Sequence, residues 1–283
     1  MLQIRTMRFD DIPYALRLTD QERWGVTRRD LTRILKLDPK GSLVATEGSR
    51  RVALITTTRY GRKLAWIGNV IVDRNYRGAH IGRSLVQNAV EYLRKSNVEH
   101  VALYCFDENV KFYRRLGFVR DVPFARLGRK PIPLRSASAT TAIPQGLPLR
   151  AVLSVDKKAF GADRSRLIRM VLRTEAAWYL GFSNGPSAKS YLLVKKYKEL
   201  YELGPWVCTS PPKAQPSEML RLVLAKTAGK PIEVFCLRKH QAFGLFKKYG
   251  FRVMSHGYRM YYGRIPRIGK PEANFALGFL DKG

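Results

Sequence analysis

Apolar positions in the first 125 residues switch between two spacings. Leu2 and Ile4 alternate with polar neighbours, the period-two pattern of a half-buried strand. Asp10 or Asp11 then stands where a helix cap belongs, ahead of Ile12, Ala15, Leu16 and Thr19. A second helix is predicted over Arg28–Leu37, stopped by the turn Asp38-Pro39-Lys40-Gly41. Leu43–Glu47 and Val52–Thr58 read as strands around Gly48-Ser49-Arg50, and Tyr60-Gly61-Arg62 leads into a longer strand, Leu64–Val72. Past a polar stretch, Ile81, Leu85, Ala89 and Leu93 recur every four residues, widened by Val86 and Val90, with Arg83, Gln87, Glu91 and Arg94 opposite. That is an amphipathic helix of about four turns. Val101–Phe106 follows as a strand, so the segment reads as strand, loop, helix, strand: a parallel crossover in an α/β fold with a mixed sheet.

The pattern breaks at residues 129–148, where Pro131, Pro133, Pro144 and Pro148 bracket the small polar run Ser136–Ala142. This composition predicts a linker between a first domain, 1–128, and a second, 149–283. The two parts resemble each other. VALYCFDENVKFYRRLGF (101–118) is matched by IEVFCLRKHQAFGLFKKYGF (232–251), aligning Cys105 with Cys236 and Gly117-Phe118 with Gly250-Phe251. Gly204-Pro-Trp-Val207 falls where Gly68-Asn-Val-Ile71 falls in the first part, which points to a duplicated unit. Near the end, Phe275, Leu277 and Phe279 alternate as in a strand.

Composition narrows the function. With 45% hydrophobic and 11% aromatic residues, the chain has material for packed cores. No apolar run approaches the roughly 18 residues of a membrane span, and the N-terminal MLQIRTMRFDD lacks the apolar stretch of a signal peptide. Three cysteines (Cys105, Cys208, Cys236), with no CxxC pair, argue against a disulfide framework and a zinc site and favour a reducing, cytoplasmic setting. The four histidines are scattered, so no metal is expected. The net charge of +30 sets up a field that attracts anionic ligands: phosphorylated cofactors, acidic protein or nucleic acid, though no nucleic-acid motif is visible.

The segment Arg77-Gly78-Ala79-His80-Ile81-Gly82 is the strongest chemical signal. A helix start leaves backbone N–H groups unpaired and carries partial positive charge. Glycines let such a loop fold its amides inward as an anion nest, and Arg77 and Arg83 add full charges, so the target is a phosphate or pyrophosphate. No Gly-Lys-Ser/Thr follows, which excludes a nucleotide P-loop, and the absence of GxGxxG makes a dinucleotide fingerprint a poor match. Strand 66–72, the Arg-Gly-x-x-Ile-Gly loop, helix and strand, then Phe112-Tyr113-x-x-Leu116-Gly117-Phe118, resemble the GNAT superfamily of N-acetyltransferases. Arg77 and Gly82 fill the first and last positions of the family's loop signature, while His80 stands in place of its central glycine.

The resemblance implies two tandem GNAT-like domains and acetyl-CoA as cofactor. Its pantetheine arm would meet the backbone of Ile71 and Val72 where two parallel strands splay, and residues 77–83 would hold the pyrophosphate. Tyr113 matches the family tyrosine that protonates the departing thiolate, a phenol of pKa about 10 being near that of a thiol. The general base is not evident: the strand has no acid, leaving Glu22 or Asp20, or none. Glu22, Trp24 and Trp66 are the candidate acceptor-side residues, each tryptophan being equally a core residue. The second part keeps neither feature: Ser210–Pro216 is proline-rich where the loop should be, and Phe246 replaces Tyr113. There, Asp163 and Arg164 are expected to form a buried pair or to cap a helix, with a substrate role for Phe160, Asp163 or Arg164 the alternative. Two functions follow from these readings: transfer of acetyl to an amine by direct attack on the thioester, or a non-catalytic basic module that binds nucleic acid or acidic protein on the same fold.

Overall fold

The computed structural model describes residues 1–131, 147–174, 177–184, 188–197, 199–209 and 214–283. Most of the expected linker 129–148, and most of Ser210–Pro216, lie outside the described residues. The chain forms two compact units whose borders differ from the consecutive halves expected. Unit 1 comprises 1–121, 258–266 and 280–283, and unit 2 comprises 122–257 and 267–279. The last strand-forming stretches of the sequence are therefore shared out between the two.

Unit 1 opens with strand β1 (Leu2–Thr6), helices α1 (Ile12–Gln21) and α2 (Arg28–Leu37), then β2 (Leu43–Glu47), β3 (Arg50–Tyr60) and β4 (Leu64–Val72). Helix α3 (Ile81–Lys95), β5 (His100–Phe106) and α4 (Val110–Arg115) follow, and β6 (Phe118–Arg129) starts here and continues into unit 2. Strands β1 to β5 lie in sequence order, antiparallel except for the parallel pair β4–β5. Beyond β5 lies β11 (Arg252–Tyr262), whose last five residues belong to this unit. The α3 stripe of Ile81, Leu85, Ala89 and Leu93 packs with Ala53, Ile55, Ala65 and Ile67 on one sheet face. Helices α1 and α2 cover the other face, where Leu18, Leu31 and Ile34 meet Leu54 and Ile71.

Local chemistry explains the boundaries. Helix α2 begins in a capping box: Asp30 N–H donates to Thr27 Oγ1 at 3.3 Å, and Thr27 N–H donates back to Asp30 Oδ2 at 3.0 Å. Asp11 precedes α1 but does not cap it with its side chain. Its buried carboxylate instead accepts from Arg5 at 2.7 Å and Arg51 at 2.5 Å, and from Arg8 N–H at 2.8 Å. Burial works against that charge, but these donors hold the carboxyl well below the usual carboxylate range.

Unit 2 contains α5 (Leu149–Phe160), α6 (Ser165–Leu172), β7 (Ala177–Asn184), β8 (Ala188–Tyr197), β9 (Leu200–Cys208), α7 (Gln215–Lys226), β10 (Ile232–Leu237), α8 (Gln241–Lys248) and β12 (Asn274–Ala276). Its strands run β6–β10–β9–β8–β7, with β12 added to β9. Its core centres on Trp206, Met219, Val234, Phe246 and Phe275. The expected pairing of Asp163 with Arg164 is not what forms. Arg164 turns inward and binds Asp156 at 2.8 Å, both nearly fully buried, and Tyr191 O–H donates to the same carboxylate. Asp163 stays exposed and accepts from Ser165 N–H at 3.0 Å, while the Arg164 guanidinium lies 4.1 Å over Phe160. The inward charge of Arg164 is matched by Asp156 on the preceding helix, α5, which offers it a carboxylate. Among the described residues no helix is long and apolar enough to cross a membrane.

Candidate functional site

Strand β4 carries an irregularity at its centre. Leu54 faces Ile71 and Thr56 faces Gly68, so β4 has one residue more than β3 across this stretch, and Asn69 takes a positive φ of 47°. Such a bulge bends the strand and re-aims its groups. The parallel ladder with β5 covers only 64–67 against 100–103. Past that point β4 runs on to Val72 and β5 to Phe106, and among the described residues no strand pairs into the fork. Ile71, buried, and Val72, half-buried, line the β4 arm of this opening.

The loop from β4 to α3 delivers a helix start beside the fork. Gly78 has φ +89°, and a Cβ there would meet nothing within 4 Å. His80, the N-cap of α3, has φ +57° and makes no side-chain cap hydrogen bond. The position therefore has the left-handed geometry that a glycine adopts freely, and His80 reaches it as an exposed residue. Ala79 and Arg83 are also exposed, Ile81 is anchored in the core, and Gly82 packs near Val72 and Phe112. Helix α3 is fifteen residues long, so its macrodipole supports anion binding at this end.

Two of the candidate acceptor-side residues have partners within unit 1. Glu22 is not left facing an acceptor: its carboxylate accepts from Arg77 at 2.7 Å and from Arg74 at 3.4 Å. Chiefly through the Arg77 hydrogen bond, its carboxyl is held below the ordinary value. Arg77, for its part, is not a free charge, since it also donates to Val72 O at 3.2 Å. The pair ties the end of α1 to the loop, a link that only the fold brings together. Trp66 takes the core alternative: it is only 1% exposed and its indole N–H donates to Leu280 O at 3.1 Å. Trp24 remains a surface residue, 44% exposed, just past α1.

Tyr113 sits on α4 in the core of unit 1, in edge-to-face contact with Phe112 and Phe118 at centroid distances of 5.0 and 5.8 Å. Burial, and secondarily Cys105, push its phenol well above the usual value, so it is protonated at neutral pH but is a weaker acid than a free phenol. Burial likewise pushes the Cys105 thiol up to about 12, which makes it an inert packing group.

Sequence reading gave no role to the last four residues, 280–283. They lie against β3 and β4, on the face that carries Trp66 and Asn69. Tyr60 O–H donates to Lys282 O, and Asn69 Nδ2 donates to Thr56 Oγ1 at 3.0 Å and to Asp281 Oδ2 at 3.2 Å. Gly68 is a glycine because Asp281 Cα would lie 2.6 Å from a Cβ there. No hydrophobic period in the sequence marks this segment.

Unit 2 repeats this plan with the opening closed. Strand β9 has its own irregularity at Gly204-Pro205, opposite β8, and its parallel ladder with β10 covers only 201–203 against 232–234. Here β12 lies along the end of β9, and Leu277 N–H donates to Phe235 O of β10 at 2.8 Å. The chain thus fills the fork with its own backbone. Phe246, fully buried, packs edge-to-face on Phe251 at 5.2 Å, much as Tyr113 does on Phe118.

Residues 9–118 match the acetyltransferase (GNAT) family and residues 152–272 match an acetyltransferase (GNAT) domain. The chain belongs to the GNAT acetyltransferase family. A putative acetyltransferase from Pyrococcus horikoshii superposes on all of this GNAT chain and on 96% of its own, with a TM-score of 0.79 at 21% identity. A tandem GNAT protein from the clavulanic acid biosynthesis pathway covers 92% of this chain and 98% of its own, with a TM-score of 0.65 at 14% identity. At these identities both likenesses speak for the fold alone. Among curated relatives, glucosamine 6-phosphate N-acetyltransferase of Trypanosoma brucei brucei is 38% identical over 61 residues. That stretch is 22% of this GNAT chain and 42% of the relative, so the match spans less than half of the latter's length.

Proposed function

We propose that unit 1 is an acetyl-CoA-dependent N-acetyltransferase with one cofactor site per chain. The observation that carries this reading is the open fork between β4 and β5, set beside a bulge on one side and the start of α3 on the other. The edge of β4 that β5 leaves uncovered at Ile71 and Val72, whose other edge pairs with β3, would receive the amide-bearing pantetheine arm by strand-like hydrogen bonding, with Val72 O already taken by Arg77. Gly78, Ala79, His80, Ile81, Gly82 and Arg83 would hold the pyrophosphate through the first α3 amides and the Arg83 charge. In this reading Arg77 belongs to the loop's scaffold through Glu22, and Trp24 to the acceptor side.

Transfer to an amine needs no covalent enzyme intermediate. The amine nitrogen bonds to the thioester carbonyl carbon, the C–S bond breaks, the thiolate leaves, and the surplus proton on nitrogen passes to solvent. Backbone amides at the bulge suit the oxygen on which charge develops. Tyr113, by its place on α4 ahead of Leu116-Gly117-Phe118, is the candidate proton donor to the thiolate, and its burial is the feature that works against that role. In unit 2, β12 occupies the fork and Phe246 supplies no hydroxyl, which supports a non-binding partner domain.

Calorimetry with acetyl-CoA tests the reading: one site per chain is expected, and no binding at millimolar cofactor would overturn it. Replacing Tyr113 with Phe is expected to cut transfer by roughly 100-fold while leaving cofactor affinity unchanged. Full activity in that variant removes Tyr113 as the acid.

A further inference from the structure

The segment 280–283 is held by more than incidental packing. Trp66 and Tyr60 donate to its carbonyls at Leu280 and Lys282, two residues apart, and Asn69 donates to the Asp281 side chain between them. Gly68 gives up its side chain to let the backbone pass. All four contacting residues belong to β3 and β4, and Gly68 and Asn69 are the residues at which β4 leaves β5. The segment is therefore seated at the mouth of the fork, on the face opposite α3.

It brings a primary amine with it. Lys282 is 3% exposed, and its Nζ lies 2.6 Å from Asp281 Oδ1 and 2.5 Å from Oδ2. Because Asp281 Oδ2 also accepts from Asn69, the amine is two hydrogen bonds away from the bulge. The Lys282 charge also reaches Asp30 of α2, where it leads the influences that outweigh burial and hold that carboxyl low. A charged amine so withdrawn from water needs such partners. Its burial also means that reagents in bulk solvent would meet the exposed lysines first.

We infer that Lys282 is an internal acetyl acceptor, a self-modification site of the chain. The inference rests on the proposed cofactor site in unit 1. One proton of the Lys282 ammonium passes to the Asp281 carboxylate and on to solvent. The freed Nζ bonds to the thioester carbonyl carbon, the C–S bond breaks, and coenzyme A leaves as a thiolate. The remaining surplus amine proton neutralises that thiolate, so the products are an acetylated Lys282, free coenzyme A and one released proton. Acetylation removes the positive charge, leaving Asp281 and Asp30 to face one another's field without it. The modified segment is then held less firmly on Asn69 and Trp66, which opens this face to a second acceptor.

Incubating the full chain with acetyl-CoA and mapping acetylation by peptide mass spectrometry tests this directly. The expected result is one acetyl group on Lys282 ahead of exposed Lys95, whose side chain is 76% exposed, at a first-order rate independent of protein concentration. The Asp281→Asn variant is expected to slow it by roughly 100-fold, the ordinary contribution of a positioned base. Faster amide exchange at residues 280–283 should accompany modification. Acetyl-CoA binding by calorimetry with Lys282 unmodified, or modified no sooner than Lys95, overturns the inference. Absence of acetyl-CoA binding overturns the proposed function instead, and the inference falls with it.

Discussion

Individual side chains show how much a single partner decides. Arg164 and Asp156 form an ion pair almost completely removed from water, with Tyr191 on the same carboxylate. Arg164→Ala leaves the Asp156 charge buried without its counter-ion, a change expected to cost about 3–5 kcal/mol, measurable by urea denaturation. Gly68 is constrained differently. An alanine there collides with the backbone of Asp281 and must push the segment 280–283 off β4. The expected loss is about 1–3 kcal/mol, with faster amide exchange confined to that segment. Neither role is written in the residue's own neighbourhood in sequence. Arg164 looks like a partner for adjacent Asp163, and its true partner becomes visible only when α5 and α6 are set side by side.

At the scale of elements, α8 of unit 2 gives a pH-dependent case. His240 caps it: Ala242 N–H donates to Nδ1 at 3.0 Å, so the other ring nitrogen, Nε2, carries the proton and reaches Glu272 O at 2.8 Å. That cap exists only for the neutral ring. Burial is the main cause that moves the imidazole below its ordinary 6.5. The folded state thus binds fewer protons than the unfolded one, and its advantage is complete above pH 6.5. It declines as pH falls from 6.5 towards the lower folded value. Denaturation of the His240→Asn variant, whose side chain caps without titrating, should lose this slope. The helices and strands around the fork were legible in sequence to a good degree. Arg28–Leu37, Leu43–Glu47 and Leu64–Val72 form as read, because each is one clean hydrophobic period bounded by a turn. The bulge at Asn69 was not legible, since one extra residue leaves the apolar pattern of β4 almost unchanged.

Over the whole molecule, the two units share a plan and differ most at the fork. Both units fork a parallel strand pair beside a bulge, and unit 2 fills its fork with β12. The stoichiometry of acetyl-CoA binding is therefore expected to be one per chain, and a value of two by calorimetry would show that β12 yields. The +30 charge belongs to this scale as well. It predicts faster capture of an anionic cofactor at low ionic strength, visible as an association rate that falls with added salt.

The sequence by itself determined the family plan: the crossover with its amphipathic α3, the loop at Arg77–Gly82, and the repeat of Cys-to-Gly-Phe segments in both parts. Those features are local, carried by hydrophobic period and glycine placement within some thirty residues. Tertiary structure alone decided who pairs with whom over long separations. It set Glu22 on Arg77, buried Trp66 under Leu280, placed Asp281 on Asn69, and sent the end of the chain first into one fork and then across the face of the other strand pair. Such contacts depend on two distant segments meeting, and no spacing along one of them records the other.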